Sequence, residues 1–118
     1  MGLLKKNTEA AIYKQTVTTL ISEGSVVGGS LTAKAFARID GHIKGDVEIS
    51  EAIILGKNGS IDGNVRTKEM VVHGKVNGNI TVSSIEIGPT GIVTGDITTT
   101  SLSVETGGVY NGRLVMHT

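Results

Sequence analysis

One seven-residue unit recurs along this chain and limits what it can fold into: Gly-x-h-x-Gly-x-h, where h is apolar. It reads GHIKGDV from Gly41, GSIDGNV from Gly59, GKVNGNI from Gly74, GIVTGDI from Gly91 and GVYNGRL from Gly108. A degenerate copy, SVVGGSL, begins at Ser25. The second glycines fall at 29, 45, 63, 78, 95 and 112, so successive copies are 16, 18, 15, 17 and 17 residues apart. A fixed period of this size is the mark of a solenoid, in which each copy is one coil that cannot bury its apolar face alone.

Between the glycine motifs apolar residues alternate with period two, as strands require. Stacking the copies yields five inward columns. The first holds Val27, Ile43, Ile61, Val76, Val93 and Tyr110, and the second Leu31, Val47, Val65, Ile80, Ile97 and Leu114. The third holds Ala33, Ile49, Thr67, Val82, Thr99 and Met116. The fourth holds Ala37, Ile53, Met70, Ile85 and Leu102, and the fifth Ile21, Ile39, Leu55, Val72, Ile87 and Val104. Composition agrees: 13 Val and 13 Ile stand against seven Leu and three aromatics, and Cβ branching favours a pleated strand over a helix. The fold expected is all-β, a single-domain parallel β-helix over residues 16–116. Residues 1–15 are expected to form a disordered N-terminal tail and residues 117–118 a short C-terminal end.

The second glycine of each unit lies on the inward phase, where a side chain would crowd a narrow interior. The residue after it (Ser30, Asp46, Asn64, Asn79, Asp96 or Arg113) points outward, and Asx side chains there can bond the turning backbone. Variable coil length is expected at the corner before the first glycine, where GKN at 56–58 and GPT at 88–90 form bulges.

Composition also excludes function classes. Eleven Lys+Arg balance eleven Asp+Glu, so the basic face that nucleic acid needs is lacking. No cysteine is present for disulfides or thiolate metal sites. No apolar run approaches the ~20 residues of a membrane helix, and a secretory h-region is missing, so a cytoplasmic protein is expected.

The pattern resembles the bactofilin family of bacterial cytoskeletal proteins, on RIDGHIKGDV at 38–47, VVHGKVNGNI at 71–80 and GIVTGDI at 91–97. The resemblance implies a right-handed, triangular β-helix (β-solenoid) of about six windings. It further implies nucleotide-independent, non-polar filaments with no cofactor, built from copies of the chain itself and serving cell shape. The C-terminal tail common in that family is almost absent here, which puts tail-borne partners in doubt.

A left-handed β-helix acyltransferase or His-liganded metalloenzyme is the enzymatic alternative, and a discrete binding module the other. Left-handed helices run on a strict hexapeptide period, which coils of 15 to 18 residues break. His42 and His73 fall on outward phases in different columns, and His117 is terminal. Asp40, Asp46, Asp62 and Asp96 lack the nonapeptide run of a calcium β-roll. The GK pairs at 56–57 and 74–75 lack the Ser/Thr of a phosphate loop. Thr98-Thr99-Thr100 resembles an ice-binding face, but neighbouring coils do not repeat it. No catalytic, cofactor or metal residue is expected.

Two sets of residues remain as candidate sites. A solenoid has two open ends, each a row of unpaired strand edges over exposed core, unless polar caps cover them. Tyr110, Leu114 and Met116 close the columns at one end, and Ile21, Val27 and Leu31 open them at the other. These six are the expected polymerisation interface, unless residues 8–15, with Ile12 and Tyr13, fold back over the N-terminal face. The second set is an apolar tip with a basic collar, Met1, Leu3, Leu4, Lys5 and Lys6, suited to shallow insertion into an anionic inner leaflet. The filament is thus expected in the cytoplasm, peripheral to the membrane's inner face, where it could organise envelope or division proteins.

Overall fold

The computed structural model describes residues 19–116 as six coils of three short strands each. The first coil is β1 (Thr19–Ile21), β2 (Val26–Gly28) and β3 (Leu31–Ala33). The second is β4 (Phe36–Ile39), β5 (His42–Lys44) and β6 (Val47–Ile49), and the third β7 (Ala52–Leu55), β8 (Ser60–Asp62) and β9 (Val65–Arg66). The fourth is β10 (Glu69–Val72), β11 (Lys75–Asn77) and β12 (Ile80–Thr81). The fifth is β13 (Ser84–Ile87), β14 (Ile92–Thr94) and β15 (Ile97–Thr99). The last is β16 (Ser101–Val104), β17 (Val109–Asn111) and β18 (Leu114–Met116).

Every strand pairs in parallel with its equivalent in the next coil, giving three six-stranded sheets. Sheet A runs β1-β4-β7-β10-β13-β16, sheet B β2-β5-β8-β11-β14-β17, and sheet C β3-β6-β9-β12-β15-β18. The register is the one the columns require. Ile43 pairs with Val27 and Ile61, Val76 with Ile61 and Val93, and Ile97 with Ile80 and Leu114. Ile39, Leu55, Val72 and Ile87 likewise stand in one line. Across coils two to five these side chains form one buried core. Parallel pairing of like with like puts each branched side chain against another, so the core is a stack of nearly identical layers.

Coil length varies at two corners, not at one. Between sheets A and B, coils two and four turn in two residues (40–41 and 73–74), whereas the other coils use four. Those longer corners (22–25, 56–59, 88–91 and 105–108) are turns closed by a hydrogen bond of 2.8–3.0 Å across four residues, as from Gly59 N to Gly56 O. Sequence inspection found the two with GKN and GPT but not the first and last. Between sheets C and A the third and fourth columns lie four residues apart at Ile49–Ile53, but three apart at Thr67–Met70. A two-residue step at one corner and a one-residue step at the other account for all five spacings. Thr67 and Thr99 sit buried at the tightened corner. The Thr99 hydroxyl has two carbonyl acceptors within reach, Ser83 O and Ser101 O, each at 3.0 Å, so its single proton is satisfied where the corner buries it.

The motif glycines answer to the neighbouring coil's backbone more than to crowding in the core. A Cβ on Gly78 would stand 2.1 Å from Gly63 O, and one on Gly95 would stand 2.1 Å from Gly78 O. Both also have positive φ, +150° and +129°, a region L side chains rarely adopt. The glycines therefore stack directly, and their close approach lets the coils keep strand spacing at the bend. The Asx residues that follow them bond the next coil instead of their own turn. Asn64 N donates to Asp46 Oδ1 at 3.0 Å, Asn79 N to Asn64 Oδ1 at 3.1 Å, and Asp96 N to Asn79 Oδ1 at 3.3 Å. Arg113 N continues the ladder to Asp96 Oδ1 at 3.3 Å.

Candidate functional site: the two end faces

The six sheet ends form two faces. One is edged by β1, β2 and β3, the other by β16, β17 and β18, and among the described residues each of these strands has a neighbour on one side only. Half of their backbone donors and acceptors point along the solenoid axis without a strand partner among the described residues.

The interior columns run out onto these faces. Leu114 is 38% exposed although Ile97, its partner in the coil before, is fully buried. Met116 is 50% exposed above a fully buried Thr99, and Val104 is 43% exposed above a fully buried Ile87. A further coil is what closes each column elsewhere, and among the described residues none follows the sixth. Tyr110 is half-buried, and its hydroxyl donates to Arg113 O. Desolvation raises this phenol above its ordinary value, with Asp96 adding to the effect, so it stays a neutral donor. At the other face Ile21, Val27 and Leu31 are half-buried, whereas Ile39, Ile43 and Val47 beyond them are buried.

The six residues expected at the ends are thus on the two faces, three on each. The sequence reading omitted Val104, Leu102 and Ala33 from that set, although they close the same columns. The column assignment was already the signal for them. Outward-facing Val109 and Val115 border the C-terminal face, and Leu20 and Val26 the other. Met1, Leu3, Leu4, Lys5 and Lys6, with Ile12 and Tyr13, lie outside the described residues.

One contact was not legible in the sequence. His42 Nδ1 is hydrogen-bonded to Ser60 Oγ across adjacent coils of sheet B. The pair is exposed on a flat strand ladder, and the backbone N–H groups around it are committed to the sheet. Among the described residues no three His, Cys, Asp or Glu cluster as a metal site would. Among them, too, no helix is long and apolar enough to cross a membrane.

Residues 19–115 match the family model described as bactofilin, polymer-forming cytoskeletal. The solved structures similar to this chain include bactofilin of Thermus thermophilus, reconstructed by electron cryomicroscopy as double helical filaments. It is 29% identical with a TM-score of 0.82, over 84% of this chain and 99% of that one. A crystal structure of a mutant of the Thermus thermophilus protein is 28% identical with a TM-score of 0.73, over 76% of this chain and 100% of that one. The cytoskeletal bactofilin BacA, determined by solid-state NMR, is 33% identical with a TM-score of 0.76, over 84% of this chain and 95% of that one. No curated protein shows significant similarity to the chain. A six-coil parallel β-solenoid, matched by the family model over residues 19–115, belongs to the bactofilins, the self-assembling scaffold proteins of a bacterial cytoskeleton.

Proposed function

We propose that the chain polymerises by burying its two end faces against those of neighbouring subunits, with no need of nucleotide or metal, into non-polar filaments. One observation carries this reading. Column positions that are fully buried under a following coil, as at Ile97 and Ile87, stand 38–50% exposed at Leu114, Val104 and Met116 in the last coil. A second subunit's face supplies the missing layer and takes up the free strand edges at once. Like-to-like contacts about two-fold axes join C-terminal face to C-terminal face and N-terminal face to N-terminal face, which leaves the filament without polarity. Six coils at the ~4.8 Å strand spacing give about 29 Å of rise per subunit, so the like-to-like repeat is about 58 Å and a head-to-tail repeat about 29 Å.

The cytoplasmic, membrane-peripheral placement rests on residues 1–6. Their apolar tip and basic collar are weak individually, and a polymer multiplies them by avidity. Envelope or division proteins are the partners such a filament would organise.

The test is sedimentation and electron microscopy of purified protein in buffer with EDTA and no nucleotide. Filaments that pellet unchanged support the reading. A soluble monomer under these conditions, rescued by a nucleotide or a metal, overturns it and returns the chain to the reading of a discrete binding module or enzyme.

A further inference from the structure

Strand alternation fails in one place. On the outer faces of sheets B and C the outward phases carry residues such as His42, Lys44, Asp62, Lys75, Asn77, Glu48 and Arg66. On sheet A four of the six outward positions on three adjacent strands are apolar and buried, Phe36 0%, Ala52 2%, Ile54 0% and Val71 3%, with Ala35 packed beside them, while Arg38 and Glu69 at the border are half-buried. They form a cluster separate from the core. The patch is local. Farther along the same two rows the residues are Glu69, Ser84, Ser101, Glu86 and Ser103, and at the near edge Leu20 is 61% exposed. A phenylalanine and an isoleucine pointing away from the core cannot reach full burial on a bare sheet. Among the described residues no strand is layered on that side.

The geometry points to residues 8–17 of the same chain lying across the outer face of sheet A, over Phe36, Ala52, Ile54 and Val71. The chain reaches this patch from its border. Thr19 opens β1 and is registered with Ala37, the residue next to Phe36. Residues 8–17 read TEAAIYKQTV, and Ala10, Ala11, Ile12, Tyr13 and Val17 are the apolar content available. Three strand spacings separate β1 from β10, about 14 Å. The six steps from Tyr13 to Thr19 span up to about 20 Å at ~3.3 Å per residue, enough to reverse direction and cross the patch. Ile12 and Tyr13 supply branched and aromatic area to set against Ile54, Val71 and Phe36, and the two alanines permit close approach. A second copy is the less suitable occupant, because the patch is confined to three strands beside the point where the chain's own segment arrives.

Two consequences follow. The segment occupies a side of the solenoid and not an end, so both end faces stay open. Residues 1–6 then extend from the sheet A side of each subunit and not from an assembling end.

Because the chain has no cysteine, a pair introduced by substitution is unique. Tyr13→Cys would be combined in turn with Ala52→Cys, Ile54→Cys and Val71→Cys, with Tyr13→Cys/Thr94→Cys as the control on sheet B. Chains labelled with 14N and 15N are mixed and oxidised, and the linked peptides are read by mass spectrometry. Same-isotope links at one or more sheet A positions, in excess of the control, are expected. Mixed-isotope links would assign the face to a second copy and overturn the proposal, as would links no more frequent than in the control. A second measurement needs no cysteine. Trypsin should cut the unmodified chain after Lys14 at least about tenfold more slowly than after Lys5 or Lys6, since docked backbone resists proteolysis. Ile54→Asp should remove that difference. Equal cleavage at Lys14 and Lys6 in the unmodified chain would overturn the docking.

Discussion

Leu114→Arg separates assembly from folding, and its size can be worked from the structure. Leu114 is 38% exposed in the subunit, so roughly two-fifths of its surface remains for a partner to cover. Full burial of a leucine contributes about 1.5–3 kcal/mol, which makes this share about 0.6–1.1 kcal/mol per subunit and about 1–2 kcal/mol for a two-fold contact. Arginine forfeits that gain, and burying an unpaired guanidinium costs several kcal/mol more. A net change of at least about 4 kcal/mol weakens association by roughly a thousandfold, at 1.4 kcal/mol per tenfold. The fold pays far less. Because the position already opens to solvent, the arginine head can stay wet while its stem covers the column. The subunit loses about 1–2 kcal/mol of leucine burial, and the five coils before it keep their layers. Sedimentation and negative-stain microscopy should show no filaments, while circular dichroism keeps the β-solenoid spectrum. Lys75→Ala, on an outward phase of β11, should polymerise normally. Filaments of normal abundance from folded Leu114→Arg would refute the role given to the C-terminal face.

Three further outcomes are expected. Replacing Leu3 and Leu4 by Ser, or deleting residues 2–6, should release the polymer from anionic liposomes in co-sedimentation without dissolving it; unchanged binding would remove these residues from the membrane contact. Gly78→Ala sets a Cβ 2.1 Å from Gly63 O at φ +150° and should cost at least about 2 kcal/mol, lowering Tm by about 8 °C or more. Gly28→Ala, with nothing within 4 Å of the added Cβ, should leave Tm nearly unchanged, and equal effects would discard the glycine-stacking account. Asn79→Ala removes the Oδ1 that accepts from Asp96 N and keeps the Asn79 N–H that donates to Asn64 Oδ1; at about 0.5–1.5 kcal/mol for the one exposed bond lost it should lower Tm measurably and leave filaments intact.

By itself the sequence determined the strand phases and the register. Period-two alternation states which side chains share a face, and the recurring glycine pins one coil against the next, so Val27 through Tyr110 align without any coordinates. The same columns name the residues of the first and last described layers, Ile21, Val27 and Leu31 at one end and Tyr110, Leu114 and Met116 at the other. The rest was decided where residues far apart in the chain meet. Whether coil length changes at one corner or two depends on how each bend closes, and the total spacing alone hides it. Whether Asn64 bonds its own turn or Asn79 of the coil above depends on the stacking distance that the glycines set. His42 meets Ser60 only because 18 residues make one complete winding there. Phe36, Ile54 and Val71 show the limit most clearly. Alternation marks them as outward, and outward residues are expected to be wet. Their burial shows that a phase describes the sheet a residue points away from, and that only the tertiary structure decides what lies on the other side.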